Sequence, residues 1–318
     1  MSQKVKVDIT FIWDWDLLRQ TPGRSGLWGP VEFSVNAENE VLDYWVIYDD
    51  VGQTQSRAVP PERTILFTSE PKSVKNYPQG YTDQFGMVVT SRPDIQHANR
   101  RLMATGLPWF TGRRVATDQS HTFVSDYDSL RSEVTIPKSK LASIISSNKN
   151  FTSGHAQRLA FAEAVSERFA GQVDFFGRGL RDFSDKADVL RPYKYHIVLE
   201  NSCETDYWTE KLSDAFLNEC YPIYSGCPNI HDYFPESSMS CIDIANTHDA
   251  LEAIERILKS ALFYERAQDV RRAKALCLDR YNLFPLIADL VTREVSAAFL
   301  SDRGRAVTEI KPIREFGT

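Results

Sequence analysis

Asn201, Tyr207, Glu210 and Lys211 bring an amide, a phenol, a carboxylate and an ammonium group into one short span of the chain. They follow an apolar run of Tyr195, Ile197, Val198 and Leu199 that reads as a buried parallel strand. A polar loop from Glu200 to Asp206 comes next, and from Thr209 the pattern is that of an amphipathic helix. In open α/β sheets ligands bind just past the carboxyl end of a strand, at the loop leading into the next helix. There an amide can both donate and accept, and a phenol offers a flat face. A carboxylate can take two sugar hydroxyls, and a lysine beside the positive end of a helix can neutralise a phosphate. This is the chemistry of gripping a phosphorylated sugar. The same residue types are also ordinary in loops and at the start of exposed helices, so their spacing alone leaves both readings open.

Two further residues stand at comparable places. Leu141 to Ser147 reads as a strand, 148–154 as a turn-rich loop and His155 to Phe169 as a helix with Leu159, Ala162, Val165 and Phe169 on one face. Arg158 falls in the first turn of that helix. Strand, loop and helix form a phosphate-binding layout, in which a guanidinium can hold two phosphate oxygens at once. Earlier in the chain, Ile65, Leu66 and Phe67 form a strand that delivers Glu70 at its carboxyl end, with Pro71 stopping the strand at once.

The stretch Tyr193 to Lys211 resembles the signature of the α1,3/α1,4-fucosyltransferases, glycosyltransferase family ten. The shared pattern is a Tyr-Lys-aromatic opening, a short apolar strand, Glu200-Asn201-Ser202, a spacer, and Asp206-Tyr207 with Thr209-Glu210-Lys211. Leu199 stands in place of the usual phenylalanine and Trp208 in place of a β-branched residue. The resemblance covers most of 141–245 and extends more weakly over 40–92. It is specific at 193–211 and looser at Val173 to Gly179, Pro222 to Gly226, His231 to Pro235 and Ser240 to Ile244.

The resemblance implies a soluble, bacterial-like member with the GT-B fold, two Rossmann-like domains facing a cleft. It implies an inverting transfer of L-fucose from GDP-β-L-fucose to a hydroxyl of an acceptor glycan, of oligosaccharide or lipopolysaccharide type, in α1,3 or α1,4 linkage. Glu70 takes the place of the family's general base, with Ser69 where the family has the glycine of Thr-Gly-Glu. Arg158 takes the place of the diphosphate ligand, Asn201 and Tyr207 of donor contacts, Glu210 of the residue that holds hydroxyls, and Lys211 of a phosphate ligand. With cations and a helix terminus to stabilise the departing diphosphate, no metal or other cofactor is expected.

The elements that must position these groups follow from length and pattern. A chain of 318 residues with 42% hydrophobic content suits two domains, divided here into 1–138 for the acceptor and 139–318 for the donor with closing helices. In the first, Lys4 to Trp13, Leu42 to Tyr48 and Gly86 to Ser91 read as strands. Trp13, Trp15 and Trp28 lie among glycines and serve equally as a sugar-stacking face or as core. The span 107–137 reads as a long connection in which Trp109 or Arg113 could meet an acceptor. In the second, Thr247 to Lys259, Phe263 to Tyr281 and Phe284 to Leu300 read as helices, the last suited to crossing back to the first domain.

With 37 basic against 43 acidic residues and a net charge of -6, a nucleic-acid partner is not expected, whereas a small phosphorylated donor remains compatible with a local pocket. The five cysteines lack the spacing of a zinc site and read as reduced thiols. One Asn-x-Thr tripeptide starts at Asn150. No run reaches membrane-spanning length, so a cytoplasmic protein with at most peripheral membrane contact is expected. Two rivals remain. A metal-dependent glycosyltransferase using another nucleotide sugar would employ Asp14-Trp15-Asp16 or Asp126-Tyr127-Asp128. A non-catalytic carbohydrate-binding protein would use the tryptophans.

Overall fold

The computed structural model describes residues 4–38, 41–132, 136–146, 153–177, 181–293 and 306–317, without side chains at 153–155. The expected loop at 148–154, Asn150, Gly179 and the last residues of the helix expected to reach Leu300 lie wholly or largely outside the described residues. Two compact units are present, one formed by 1–107 with 281–318 and the other by 108–280. Both are α/β, as expected.

The first unit is built on a sheet in the order Leu27–Trp28, Val31–Val35, Val5–Phe11, Tyr44–Tyr48, Thr64–Phe67, Met87–Thr90, Arg100–Leu102. Every pairing is parallel except that of the short first strand. Parallel strands covered on both faces need apolar side chains on both, and the alternation along Tyr44–Tyr48 meets that need. Tyr44, Val46 and Tyr48 join a core with Val7, Ile9, Ile65, Phe67 and Val89, closed by Leu283, Phe284, Ile287 and Val291 of the helix Leu283–Thr292. Trp45 and Ile47 face the other way, into a core with Leu66, Val88, Tyr77, Tyr81, Phe85 and Ile310. The closing helix thus belongs to the first unit, because its apolar face completes that core.

The second unit carries a parallel sheet in the order Val173–Phe176, Lys140–Ile145, Tyr193–Leu199, Tyr221–Ser225, Ser240–Cys241. Tyr193–Leu199 lies at its centre and is buried at every position except Lys194. His196 faces its register partner Ser143, whose hydroxyl lies 2.8 Å from His196 Nδ1. Burial and nearby Lys186 pull this imidazole down to about 3, so it stays neutral in the core. The helices Ser153–Arg168, Glu210–Leu217, Thr247–Leu258 and Ala267–Asp279 complete the unit.

The compact units divide elsewhere than at the 138/139 boundary expected from the sequence. The span 107–137 contains a hairpin, Arg113–Val115 with His121–Phe123, and a helix, Tyr127–Ser132, rather than a plain connection. It is fastened to the second unit by polar contacts that composition does not reveal. Asp214 Oδ1 accepts the backbone N–H groups of Phe110 and Thr111 at 3.1 and 3.0 Å. Asp185 Oδ1 accepts that of Gly112 at 2.9 Å, and Tyr127 donates to Asp279 at 2.6 Å. The strands Val31–Val35 and Arg100–Leu102 are also additions to the sequence reading. Phe263 to Tyr281 resolves into two helices, Leu262–Glu265 and Ala267–Asp279.

Candidate active site

The loop past Tyr193–Leu199 is closed at its base by Glu200. One carboxylate oxygen accepts the backbone N–H of Thr209 at 2.8 Å and the other its hydroxyl at 2.7 Å. Thr209 in turn caps the helix Glu210–Leu217, its hydroxyl accepting the N–H of Lys211. Gly226 is required beside this base, since a Cβ there would lie 2.5 Å from Glu200 Cγ and from the Tyr224 hydroxyl oxygen. The loop between is stiffened at Asp206, whose φ is 61°. Its N–H donates to Asn229 at 2.9 Å, and its carboxylate accepts from Asn229 and Tyr233.

Onto this frame the chain brings four of the six expected residues as a polar group. Arg158 lies in the second rather than the first turn of Ser153–Arg168, is 4% exposed, and donates through Nη1 to the Asn201 side-chain oxygen. Lys211 Nζ stands 3.4 Å from Glu200 Oε2 and 3.8 Å from Glu210 Oε1. Tyr207 is buried nearby, within the electrostatic reach of Arg158. Glu70 belongs to the first unit, three residues beyond Thr64–Phe67 and partly buried.

Lys186, Asp214 and Glu200 are functional candidates that the sequence reading did not single out. Lys186 Nζ lies 2.9 Å from Asp214 Oδ2 and 3.3 Å from Glu210 Oε1. It also stands over the Phe110 ring at 4.6 Å, and Arg113 faces the same ring at 5.0 Å. Burial opposes ionisation of Glu210, yet Lys211 and Lys186 overcome it and hold the carboxyl at about 2. Burial likewise works against the Lys186 ammonium, but Asp214 and Glu210 leave its proton held more tightly than usual. A carboxylate flanked by two ammonium groups keeps its charge and remains an acceptor-only group, suited to hydroxyl donors. Glu200 was legible only as the residue before Asn201, and nothing local marks Lys186, which arrives from a separate turn of the chain.

The departures from the family pattern are packing choices. Trp208 is buried against Tyr233 and Phe234, ring centroids 5.8 and 5.0 Å away, and Leu199 is 2% exposed. Trp109 is a core side chain at 1% exposure, so it offers no face to an acceptor, whereas Trp13 is 38% exposed. Two of the Asp-x-Asp carboxylates have local partners: Asp16 pairs with Arg24 at 3.2 Å, and Asp126 accepts the N–H of Ser129 at 2.9 Å. Among the described residues no three His, Cys, Asp or Glu side chains are grouped to hold a metal ion, and no helix is long and apolar enough to cross a membrane. All five cysteines are free thiols.

A sequence model described as the C-terminal part of glycosyltransferase family 10 (fucosyltransferase) matches residues 135–272. Over 72 residues the chain is 33% identical to an α-(1,3)-fucosyltransferase of Helicobacter pylori, which is 22% of this chain and 15% of that protein. Over 78 residues it is 31% identical to a GDP-fucose protein O-fucosyltransferase 3 of Danio rerio, 24% of this chain and 17% of that one. The curated relatives are therefore matched over less than a fifth of their own lengths. A crystal structure of an α1,3-fucosyltransferase with GDP superposes at a TM-score of 0.52 and 16% identity, covering 89% of this chain and 93% of that one. A second α1,3-fucosyltransferase structure gives 0.50 at 16% identity, over 84% and 81%. At such identity the likeness speaks for the fold, which is GT-B. The part of the chain that matches the family 10 model, residues 135–272, holds the central strand Tyr193–Leu199 and the loop beyond it.

Proposed function

We propose that the chain is an inverting fucosyltransferase that moves L-fucose from GDP-β-L-fucose to a hydroxyl of an oligosaccharide or lipopolysaccharide-type glycan, in α1,3 or α1,4 linkage. The second unit holds the donor and the first the acceptor. The observation that supports this most is the buried Arg158 guanidinium on Asn201, beside Lys211 and an ionised Glu210, at the carboxyl end of the central strand. Arg158 and Lys211 take the diphosphate, Tyr207 packs against the donor, and Glu210 accepts its hydroxyls. Glu70 removes the proton of the acceptor hydroxyl as the oxygen forms a bond to the anomeric carbon. The bond from that carbon to the β-phosphate oxygen breaks on the opposite face, and the electron pair leaves with GDP. Arg158 and Lys211 stabilise the charge that develops there. These cations supply what a divalent ion would supply in an Asp-x-Asp enzyme. Free thiols suit a reducing compartment and support a cytoplasmic location as part of this reading.

The test is GDP release from GDP-fucose with a panel of glycan acceptors, with product configuration read by NMR. Glu70→Gln should lower turnover by about 10² to 10⁴ while binding the donor as before, the range for loss of a general base. A product of retained β configuration, or full activity in Glu70→Gln, contradicts the reading.

A further inference from the structure

The turn that carries Glu70 is held by two side chains outside it. Asp49 follows the strand Tyr44–Tyr48, is 3% exposed and has a φ of 74°. A left-handed backbone is uncommon outside glycine, though aspartate tolerates it better than most residues. Its N–H donates to Phe67 O at 2.8 Å, which ties it to the strand leading into the Glu70 turn. Its Oδ1 accepts the Ser69 hydroxyl at 2.8 Å and also the Tyr77 hydroxyl, and its Oδ2 meets Lys75 Nζ at 2.6 Å.

Tyr77 completes the arrangement. Having given its proton to Asp49, its oxygen accepts two consecutive backbone N–H groups, that of Ser69 at 3.2 Å and that of Glu70 at 3.3 Å. A phenol has one donor and two acceptor positions, and all three are engaged. Burial, reinforced by Asp49, pushes the phenol's pKa well up, so it remains a donor. The ring is 5% exposed, with Lys75 Nζ 5.4 Å and Arg92 Cζ 5.3 Å from its centroid, and Arg92 donates to Lys75 O at 2.6 Å. A tyrosine that only filled the core would need one partner for its hydroxyl. This one spends both lone pairs on the peptide units that set the course of Glu70. Ser69, where the resembled family has glycine, adds a tie to Asp49 that glycine could not make.

We propose that Asp49 and Tyr77 are positioning residues for Glu70: the Asp49 carboxylate orients the Tyr77 hydroxyl, and that hydroxyl fixes the Ser69 and Glu70 peptide units from which the base projects. The proposal rests on the reading of Glu70 as the general base.

The test compares Tyr77→Phe, Glu70→Gln and the double variant in GDP release from GDP-fucose with N-acetyllactosamine as the probe acceptor, hydrolysis and transfer counted together. Tyr77→Phe should lower kcat by about 10- to 100-fold, the scale of misplacing a catalytic group by a fraction of an ångström. KM for GDP-fucose should stay within about twofold, because the donor residues lie in the other unit. A residue that acts only through Glu70 has nothing left to position in Glu70→Gln, so the double variant should be no slower than Glu70→Gln alone. Wild-type kcat in Tyr77→Phe, or a double variant slowed by the product of the two single effects, overturns the proposal. Undiminished kcat in Glu70→Gln overturns the base reading, and the positioning role with it. If Tyr77→Phe does not fold, Ser69→Ala takes its place: it should slow the wild type and leave Glu70→Gln unchanged, and any other pattern overturns the proposal.

Discussion

Glu200 holds Thr209 with both carboxylate oxygens, at 2.8 and 2.7 Å, and so joins the end of the central strand to the first turn of the following helix. The segment between them is thereby a closed loop with a fixed mouth. Asn201 leaves from one side of that mouth, and Glu210 and Lys211 from the other. Thr209 does two jobs in one side chain, since its hydroxyl donates to Glu200 and accepts the N–H of Lys211.

Thr209→Val keeps the shape and removes the hydroxyl. The helix loses its cap, at about 1 kcal/mol. A buried carboxylate oxygen loses a donor, at about 1–3 kcal/mol. Calorimetric unfolding should show a lower Tm, and GDP should bind more weakly because the mouth of the loop is no longer fixed. An unchanged Tm with unchanged GDP affinity contradicts this role for Thr209.

Lys186 is the cation that Asp214 and Glu210 share. Lys186→Met should destabilise the chain by about 3–5 kcal/mol, the usual cost of leaving a buried partner charge uncompensated. Adding Asp214→Asn should restore part of the loss, because one of the stranded charges is then removed. Denaturant titration of the single and double variants checks this. If the two substitutions add without coupling, the ion pair is not what stabilises the site.

Glu210 gives a pH signature with a definite sign. Its folded pKa, about 2, lies below the ordinary 4.5, so ionised Glu210 contributes stability that is fully present above about pH 4.5. That contribution is lost as pH falls through 4.5 towards 2. Stability of the wild type should therefore fall more steeply across that window than stability of Glu210→Gln, measured by denaturation at stepped pH. Parallel curves would show that Lys186 and Lys211 do not hold the carboxylate charged.

Much of the second unit was legible in the sequence because a fully buried parallel strand must be apolar throughout. Tyr195, Ile197, Val198 and Leu199 meet that demand, and the loop after them stands where a doubly covered sheet admits a ligand. The closing helix was legible from its apolar face. Val31–Val35 was not, since Glu32 and Ser34 interrupt it and its place beside Val5–Phe11 is fixed by pairing across the sheet. Lys186 and Asp214 were silent for a different reason. Each is an ordinary polar residue in its own segment, and only the fold brings them together with Phe110 and Glu210. Arg113 was noticed for its loop, yet its electrostatic partners are Asp214, Glu210 and Asp185 of the second unit.

The central claim is that Arg158 and its neighbours form the site for the diphosphate of GDP-fucose. Titration calorimetry of GDP-fucose into the wild-type chain and into Arg158→Ala, each with and without a chelator, addresses it directly. The account predicts chelator-insensitive binding that weakens by about 10- to 100-fold in Arg158→Ala, the scale of a lost charge-assisted hydrogen bond to phosphate. Equal affinity in the two proteins, or no binding of GDP-fucose to the wild type, would contradict it.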